Sequence, residues 1–143
     1  MSGLVLIITI GGTRAAIAAP AVDSVMELDN VYPVPRTPRH VAGLAAIRSQ
    51  TMTVIDCKAA LGLHPASLHS GRCPVVAVDG HMYALLVDAV EDVVETISDV
   101  RDIPGGYGAA WTAVALGMIE TASGPVLLID PAKLVVNPAA EAA

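Results

Sequence analysis

"GTRAAIAAPAVDSVMEL" (12–28) and "GHMYALLVDAVEDVVET" (80–96) are two stretches of one chain that align without a gap at an offset of 68 residues. Six of the seventeen aligned positions are identical, and several others differ only by a conservative change. Self-similarity of this kind marks two copies of one structural unit. In a chain of 143 residues, each copy is too small to bury much apolar surface alone, so the two copies are expected to pack together.

Each copy opens with a tight turn between two apolar runs. Asp79-Gly80 is a strong β-hairpin signal, because both residue types tolerate a positive φ. The repeat predicts the same turn at Gly11-Gly12, which makes the first 19 residues strand, turn and strand. Two other interpretations fit this stretch less well. A secretory signal has a basic segment before its apolar run, and a dinucleotide-binding loop has a glycine where Thr13 stands.

Short β-rich runs with turn residues between them continue along the chain, which is typical of an all-β sandwich or barrel. Helical periodicity is confined to three short pieces at 37–42, 57–63 and 131–135. Segment 64–72 is expected to be a loop and residues 137–143 a frayed tail. The predicted strands are 4–10, 14–19, 25–34, 44–48, 52–57, 75–78, 82–87, 91–100, 112–120 and 126–130.

The composition limits the partners and the compartment. With a net charge of −6 and eight scattered Lys and Arg residues, the chain lacks a basic surface for nucleic acid. No apolar run reaches the ~20 residues that a membrane-spanning helix needs, so a soluble, cytoplasmic protein is expected. Cys57 and Cys73 are too few for a disulfide framework, and two buried, reduced thiols are expected instead.

No arrangement of residues points to catalysis. Three aspartates each follow an aliphatic run, where capping of a turn or helix explains them better than acid–base work. His64, His69 and Cys73 have a spacing that suits zinc, but a fourth ligand is missing and solvated loop histidines are expected. A small zinc- or ligand-binding β-barrel is therefore the alternative to a non-catalytic binding protein. The aspartates are Asp56, Asp88 and Asp130.

A series of short motifs runs through both copies in a fixed order. They are Val34-Pro35, Pro38-x-x-Val41-x-Gly43, Ile47-Arg48, Val54-Ile55-Asp56 and Leu86-Val87-Asp88-x-Val90. In this order and spacing, residues 3–136 resemble the CheW-type coupling proteins of bacterial chemotaxis. The resemblance implies an all-β fold with a few short helices, in which two five-stranded SH3-like β-barrels pack together. Residues 1–143 would form this single CheW-like domain, with its second subdomain beginning near residue 73.

The resemblance also implies what the chain binds. Members of the family are not enzymes and bridge the cytoplasmic tips of methyl-accepting chemoreceptors to the regulatory domain of the histidine kinase CheA. The implied protein is a cytoplasmic adaptor without cofactor or metal, which joins membrane-associated receptor arrays without entering the membrane. By position, the receptor-binding residues would be Arg48, Val75, Val90 and Val93, and the kinase-binding residues would be Val22 and Gly43.

Two departures from the family pattern fall at the implied interfaces. The family's Asn-Leu-Arg-Gly turn is replaced by residues 46–49, so Arg48 stays while Ser49 takes the place of glycine. Its Val-x-Glu element has Ser24 at the position of the carboxylate. The loss of the carboxylate at Ser24 favours an altered choice of partner. A CheW-like scaffold in a kinase pathway other than chemotaxis is therefore an alternative function.

The hairpin interpretation of the first residues is testable by truncation. Removal of residues 1–21 deletes two predicted strands, so the shortened protein is expected to unfold rather than to be a mature form. Circular dichroism during heating measures this outcome, and only the full chain should show a cooperative transition. A truncated chain that melts like the full chain would contradict the hairpin assignment.

Overall fold

The computed structural model describes residues 3–28, 30–47, 49–63 and 71–136. Strands dominate these ranges, with a 3₁₀ turn at Ala19–Ala21. The strands are β1 (Leu4–Ile10), β2 (Thr13–Ala18), β3 (Val22–Leu28), β4 (Val41–Ile47), β5 (Gln50–Asp56), β6 (Gly71–Val78), β7 (His81–Leu86), β8 (Ala89–Glu95), β9 (Ala115–Thr121) and β10 (Gly124–Ile129). The helices are α1 (Cys57–Ala60), α2 (Ala109–Val114) and α3 (Pro131–Val135).

The strands form two five-stranded sheets, and each half of the chain contributes to both. The first sheet has the order β8-β1-β2-β10-β9, and the second has the order β3-β6-β7-β5-β4. Moving each strand by five positions along the chain converts one order into the other, so β1–β5 and β6–β10 are two structural copies. Each copy places its opening hairpin in one sheet and its three other strands in the other sheet.

The second subdomain was expected to begin near residue 73. The first strand of the second copy, β6, begins at Gly71. The sheets themselves do not divide the chain there. The second sheet uses strands from Val22 to Leu86, and the first sheet combines strands from both sides of that segment. Residues 64–70 of the predicted loop and the predicted tail, 137–143, lie outside the described residues.

Both predicted hairpin turns are confirmed. β1 pairs with β2 and β6 pairs with β7 through two-residue connections, and both ladders are antiparallel. The second turn residue is Gly12 in one and Gly80 in the other, with φ of +83° and +80°. This is a conformation that an L side chain adopts only at a cost of about 1–2 kcal/mol. The two copies therefore share the turn geometry as well as the sequence pattern.

Several local predictions are wrong: packing explains the first two below and proline the third, and the strand predicted at 91–100 is β8, which ends at Glu95. The strand predicted at 112–120 is preceded by α2, whose Trp111 and Val114 are buried three residues apart on one helix face. The helix predicted at 37–42 is a turn followed by β4, which pairs with β5 from Val41 onward. The strand predicted at 25–34 ends at Leu28, before the prolines that cannot donate to a ladder.

The strand ladders do not close either sheet into a continuous barrel. Isolated bridges link the two edges of each sheet instead, Tyr32 to Leu44 in the second and Thr96 to Thr121 in the first. Each bridge joins the segment that follows one edge strand to the opposite edge strand, which curls the sheet on itself. The predicted fold class, mostly β with a few short helices and SH3-like packing of five strands, is thus confirmed.

Buried side chains form one large core between the sheets and a small core inside the curl of each sheet. Alternation along β1 sends Leu6 and Ile8 to the large core and Val5 and Ile7 to the small core of the first sheet. The two small cores are filled from equivalent positions of the two copies. The pairs, first sheet before second, are Val5 and Cys73, Ile7 and Val75, Ala16 and Ala84, Ile119 and Ala45, Val126 and Met52, and Leu128 and Val54.

A glycine follows a β-bulge in each copy, at Gly43 and at Gly117. There the segment that crosses between the sheet edges comes very close, and the amide of Leu44 donates to the carbonyl oxygen of Tyr32 at 2.9 Å. A Cβ built on Gly43 would lie 2.3 Å from that oxygen, and one built on Gly117 would lie 2.6 Å from the carbonyl oxygen of Arg101. The absence of a side chain is what permits this contact.

We expect Gly43→Ala to destabilise the protein by about 1–3 kcal/mol, because the new methyl group must displace the backbone of Tyr32. Urea denaturation followed by circular dichroism gives the free energy of unfolding. Gly105→Ala is the matched control, because a Cβ there meets no atom within 4 Å. Equal stability of the two variants would contradict the close approach at Gly43.

Candidate protein-binding surface

Strand β8 places two valines on the same side of one edge of the first sheet. Its register with β1 pairs Val90 with Ile8 and Val93 with Leu6, so three steps along β8 match two along β1. This β-bulge lets valines three residues apart face the same way. Val90 is half-buried against the large core, and Val93 is 53% exposed. We call this pair the β8 surface.

Strand β3 carries the equivalent pair at the edge of the second sheet. Val22 pairs with Val76 and Val25 pairs with Pro74 on β6, again across a bulge. Val22 is half-buried against the large core, and Val25 is 39% exposed. We call this pair the β3 surface. The repeat that aligned Val22 with Val90 and Val25 with Val93 thus corresponds to two surfaces of the same construction.

Two of the expected contact residues lie in the interior. Val75 is fully buried in the small core of the second sheet, where it packs beside Cys73 and Ala84. Gly43 is buried beneath the backbone of Tyr32. Neither residue offers surface to a partner in this structure, because strand alternation points Val75 inward and the bridging segment covers Gly43. Their contribution is to the shape of the surrounding strands.

The turn between β4 and β5 combines an expected anchor with a backbone irregularity. Arg48, the expected receptor-binding cation, lies outside the described residues. The next residue, Ser49, has a φ of +67°, in the left-handed region where the family pattern has glycine. A side chain there costs about 1–2 kcal/mol. The chain tolerates this strain to keep the two-residue connection between Ile47 and Gln50.

An arginine joins the two sheets next to the β8 surface. The Nη2 atom of Arg72 donates to the carbonyl oxygen of Val90 at 3.2 Å. Arg72 lies in β6, whereas the sequence pattern placed it in the predicted loop and so gave it no role. The repeat aligns Arg72 with Leu4. A cation at a position that is apolar in the other copy is the sequence feature that distinguishes Arg72. A guanidinium at this joint holds the edge of the first sheet against the second.

A polar network fixes the start of β8 to the first hairpin. The amide of Gly12 donates to Oδ2 of Asp88 at 3.3 Å, and Arg14 lies 3.4 Å from Glu91. The hydroxyl of Thr9 donates to the same carboxylate at 3.3 Å. Exposed ion pairs of this kind stabilise by about 0–1 kcal/mol each. Their effect is to position the β8 surface rather than to support chemistry.

The capping prediction is confirmed for two of the three aspartates. Oδ1 of Asp56 accepts from the amide of Ala59 at 3.1 Å, and Oδ1 of Asp130 accepts from the amide of Ala132 at 3.0 Å. Asp88 caps no helix, and its Oδ2 instead accepts from the amide of Gly12 in the turn of the first hairpin. The sequence pattern places Asp88 at the end of a strand, but its hydrogen-bond partner belongs to a hairpin far away in the sequence.

The predicted free thiols are confirmed, since Cys57 and Cys73 are both buried and unpaired with each other. Burial raises the pKa of Cys57 well above its ordinary value and raises the pKa of Cys73 to about 11. Cys73 belongs to the small core of the second sheet, while His64 and His69 lie outside the described residues. Within residues 3–28, 30–47, 49–63 and 71–136, no three His, Cys, Asp or Glu residues come together to hold a metal ion.

His40 has a partner that its sequence surroundings did not indicate. Its ring is buried, and Nε2 lies 2.6 Å from the carbonyl oxygen of Val135 at the end of α3. Its own carbonyl oxygen accepts from the amide of Asp56 at 2.7 Å. His40 therefore ties the capped start of α1 to the end of α3. This is a structural role in the contact between the two copies.

The match to known proteins agrees with this geometry. The family model for the CheW-like domain covers residues 4–138. The chain belongs to the CheW-like domain family. Among curated relatives, the chemotaxis protein CheW of Rhizobium meliloti (strain 1021) is 38% identical over 72 residues. That CheW match covers 50% of this chain and 45% of the relative, so it spans less than half of the relative's length.

A solved structure shows the same CheW-like fold. The scaffolding protein TtCheW from Thermoanaerobacter tengcongensis superposes on this chain with a TM-score of 0.78 at 22% sequence identity. The superposition covers 91% of this chain and 90% of TtCheW. In the part of the CheW-like chain that the structure describes, no helix is both long and apolar enough to cross a membrane.

We expect both cysteines to resist alkylation in the native protein. Their raised pKa values keep the thiols protonated near pH 8, and burial blocks access of the reagent. Mass spectrometry after treatment with iodoacetamide should show little labelling in buffer and two labels in guanidinium chloride. Rapid labelling of the native protein would contradict the burial of Cys57 and Cys73.

Proposed function

We propose that this protein is a non-catalytic adaptor that couples the cytoplasmic tips of chemoreceptors to a CheA-type histidine kinase. The observation that carries the proposal is the exposed Val93 on the β8 surface of a CheW-like fold. A half-exposed valine on an edge strand gains about 1 kcal/mol when a partner buries the rest of it, which is roughly half of the gain for a fully exposed side chain. The similarity to proteins named as a chemotaxis protein and a scaffolding protein supports the same role.

The receptor is proposed to bind the β8 surface. Val90 and Val93 provide the apolar part of the contact, and Arg72 beside them keeps this edge in place. Arg48 is proposed to orient the receptor tip through a hydrogen bond or ion pair, as arginine anchors often do at interfaces. Val75 is buried in the small core of the second sheet, so it is not proposed to contact the receptor.

The kinase is proposed to bind the β3 surface, where Val22 and Val25 repeat the construction of the β8 surface. Gly43 contributes by allowing the Tyr32 segment to cross the edge of β4. Both partners are cytoplasmic, so the proposed place of action is the inner side of the membrane at receptor arrays. The adaptor itself needs no cofactor for this role.

A CheW-like scaffold in a kinase pathway other than chemotaxis is the second candidate, and Ser24 favours it. Ser24 lies in β3 between Val22 and Val25, where the family pattern has a carboxylate, and its hydroxyl donates to Oδ2 of the adjacent Asp23 at 3.3 Å. The negative charge is therefore displaced by one residue, to Asp23 in the bulge of β3. A kinase with a correspondingly displaced cation would be preferred.

Co-sedimentation with receptor-containing membranes and CheA tests the proposal. At micromolar concentration the wild-type protein should be retained, and Val93→Asp should weaken retention by receptor membranes about tenfold or more. Arg48→Ala should also weaken receptor binding while the melting temperature stays nearly unchanged. Leu116→Asp is the matched control, because Leu116 is equally exposed, at 53%, on the opposite edge strand of the first sheet.

Failure of both receptors and CheA to retain the wild-type protein would refute the coupling role. Equal losses for the Val93 and Leu116 variants would show that any charge on the first sheet disturbs binding. A large loss of stability in the Arg48 variant would show that this residue is structural.

A further inference from the structure

A pocket of about 370 Å³ opens between the two sheets, where the chain crosses from β2 to β3. Its apolar walls come from both sheets, with Ala18, Leu116 and Ile129 on the first and Val78 on the second. Leu116 is 53% exposed, so the pocket keeps apolar surface in contact with solvent. Its volume falls within the range of about 300–1,000 Å³ that is usual for sites that bind small ligands or side chains.

Two carboxylates line the same pocket. Asp79 belongs to the turn between β6 and β7, and Asp130 precedes α3. Asp130 is half-buried, and its Oδ1 caps α3 by accepting from the amide of Ala132. Among the described residues, no donor binds the second oxygen of Asp130 or either oxygen of the exposed Asp79. The pocket therefore combines apolar walls with carboxylate oxygens that can accept hydrogen bonds from an occupant.

The charge of these carboxylates is not neutralised by a neighbouring cation. In the ranges that the structure describes, no Lys, Arg or His lies within ion-pair distance of Asp79 or Asp130. Lys133 of α3 and His81 of β7 are exposed and are not among the residues that line the pocket. Two arginines form ion pairs elsewhere, Arg14 with Glu91 and Arg101 with Glu120.

The other copy has a different charge at the equivalent positions. There the turn residue is a glycine, and the aspartate that caps the helix is followed two residues later by a half-buried lysine. The three positions carry no net charge in the first copy and two negative charges in the second. The second copy thus lacks a cation that the first copy supplies itself. The pairs, first copy before second, are Gly11 and Asp79, Asp56 and Asp130, and Lys58 and Ala132.

A lysine side chain matches both properties of the pocket. Its methylene groups can lie along Leu116 and Ile129 while its ammonium group stays at the more solvated carboxylates. The ammonium group has three donors, which suits carboxylates that belong to two different elements. A purely aliphatic side chain would leave the negative charge unopposed, and an acidic side chain would be repelled.

We propose that this pocket binds the side chain of a lysine in an exposed segment of a partner protein. None of the four valines of the β8 and β3 surfaces is among the residues that line it. The pocket is therefore a further contact region, and the inference does not rest on the proposed coupling role.

Titration of the full-length protein with acetyl-lysine-N-methylamide, followed by NMR, tests the proposal. The methyl resonances of Leu116 and Ile129 should shift in a saturable way. The norleucine analogue keeps the aliphatic stem without the ammonium group, so it should bind about fivefold more weakly or less. High salt should reduce this difference, because it screens exposed charges. Equal binding of the two compounds at low salt, or shifts only at other sites, would overturn the proposal.

Variants of the two copies' differing positions provide the second arm. Asp79→Asn removes one charge and keeps the turn, because asparagine tolerates the φ of +50° at this position. It should lower the preference for lysine over norleucine at least about twofold while norleucine binding stays unchanged. Ala132→Lys introduces the cation that Lys58 provides in the first copy, and it should lower the preference in the same way.

Asp92→Asn is the matched control, because it removes one exposed carboxylate from β8, outside the pocket. It should leave the preference for lysine intact. Melting temperatures show which variants are folded. An unchanged preference in a folded Asp79 or Ala132 variant would overturn the assignment. An equal loss in the Asp92 variant would also overturn it, because the preference would then reflect the net charge of the protein.

Discussion

Each sheet is completed by strands from the other half of the chain, and this exchange is the constraint on which the rest of the structure depends. β2 meets β10 in a parallel ladder, and β7 meets β5 in the equivalent one. Neither opening hairpin reaches five strands without the partner copy. The large core forms only when both sheets face each other, and it is this core that supports the valines at the sheet edges.

Local features of the sequence predicted a large part of this architecture. The glycine turns, the length of α3 and the caps at Asp56 and Asp130 depend on residues close in sequence, so their patterns are readable without a structure. The exchange of strands between sheets is not readable in this way, because an internal repeat is the same whether its copies stand alone or interleave. The turns, helix and caps depend on neighbours in sequence, whereas the exchange of strands depends on residues far apart in the chain.

The candidate surface shows the same division. Val93 and Val22 stand at sheet edges, because a repeated strand places equivalent residues at equivalent edges. The burial of Val75 and the cover over Gly43 depend on which strand lies alongside, and the sequence pattern does not contain that information. Arg72 and His40 likewise gain their partners from remote segments, through a carbonyl oxygen in each case.

Interleaving also describes how such a chain is related to a simpler assembly. Two separate half-chains, each with five strands, would satisfy the same pairings if each gave its hairpin to one sheet and its remaining strands to the other. That assembly would be a domain-swapped homodimer, and this chain makes the same strand pairings within one covalent chain. The two halves of one chain can differ in sequence, whereas the two chains of a homodimer have the same sequence. Ala18 and Thr96 in the first sheet, with the aligned Leu86 and Leu28 in the second, are differences that only a single chain can carry.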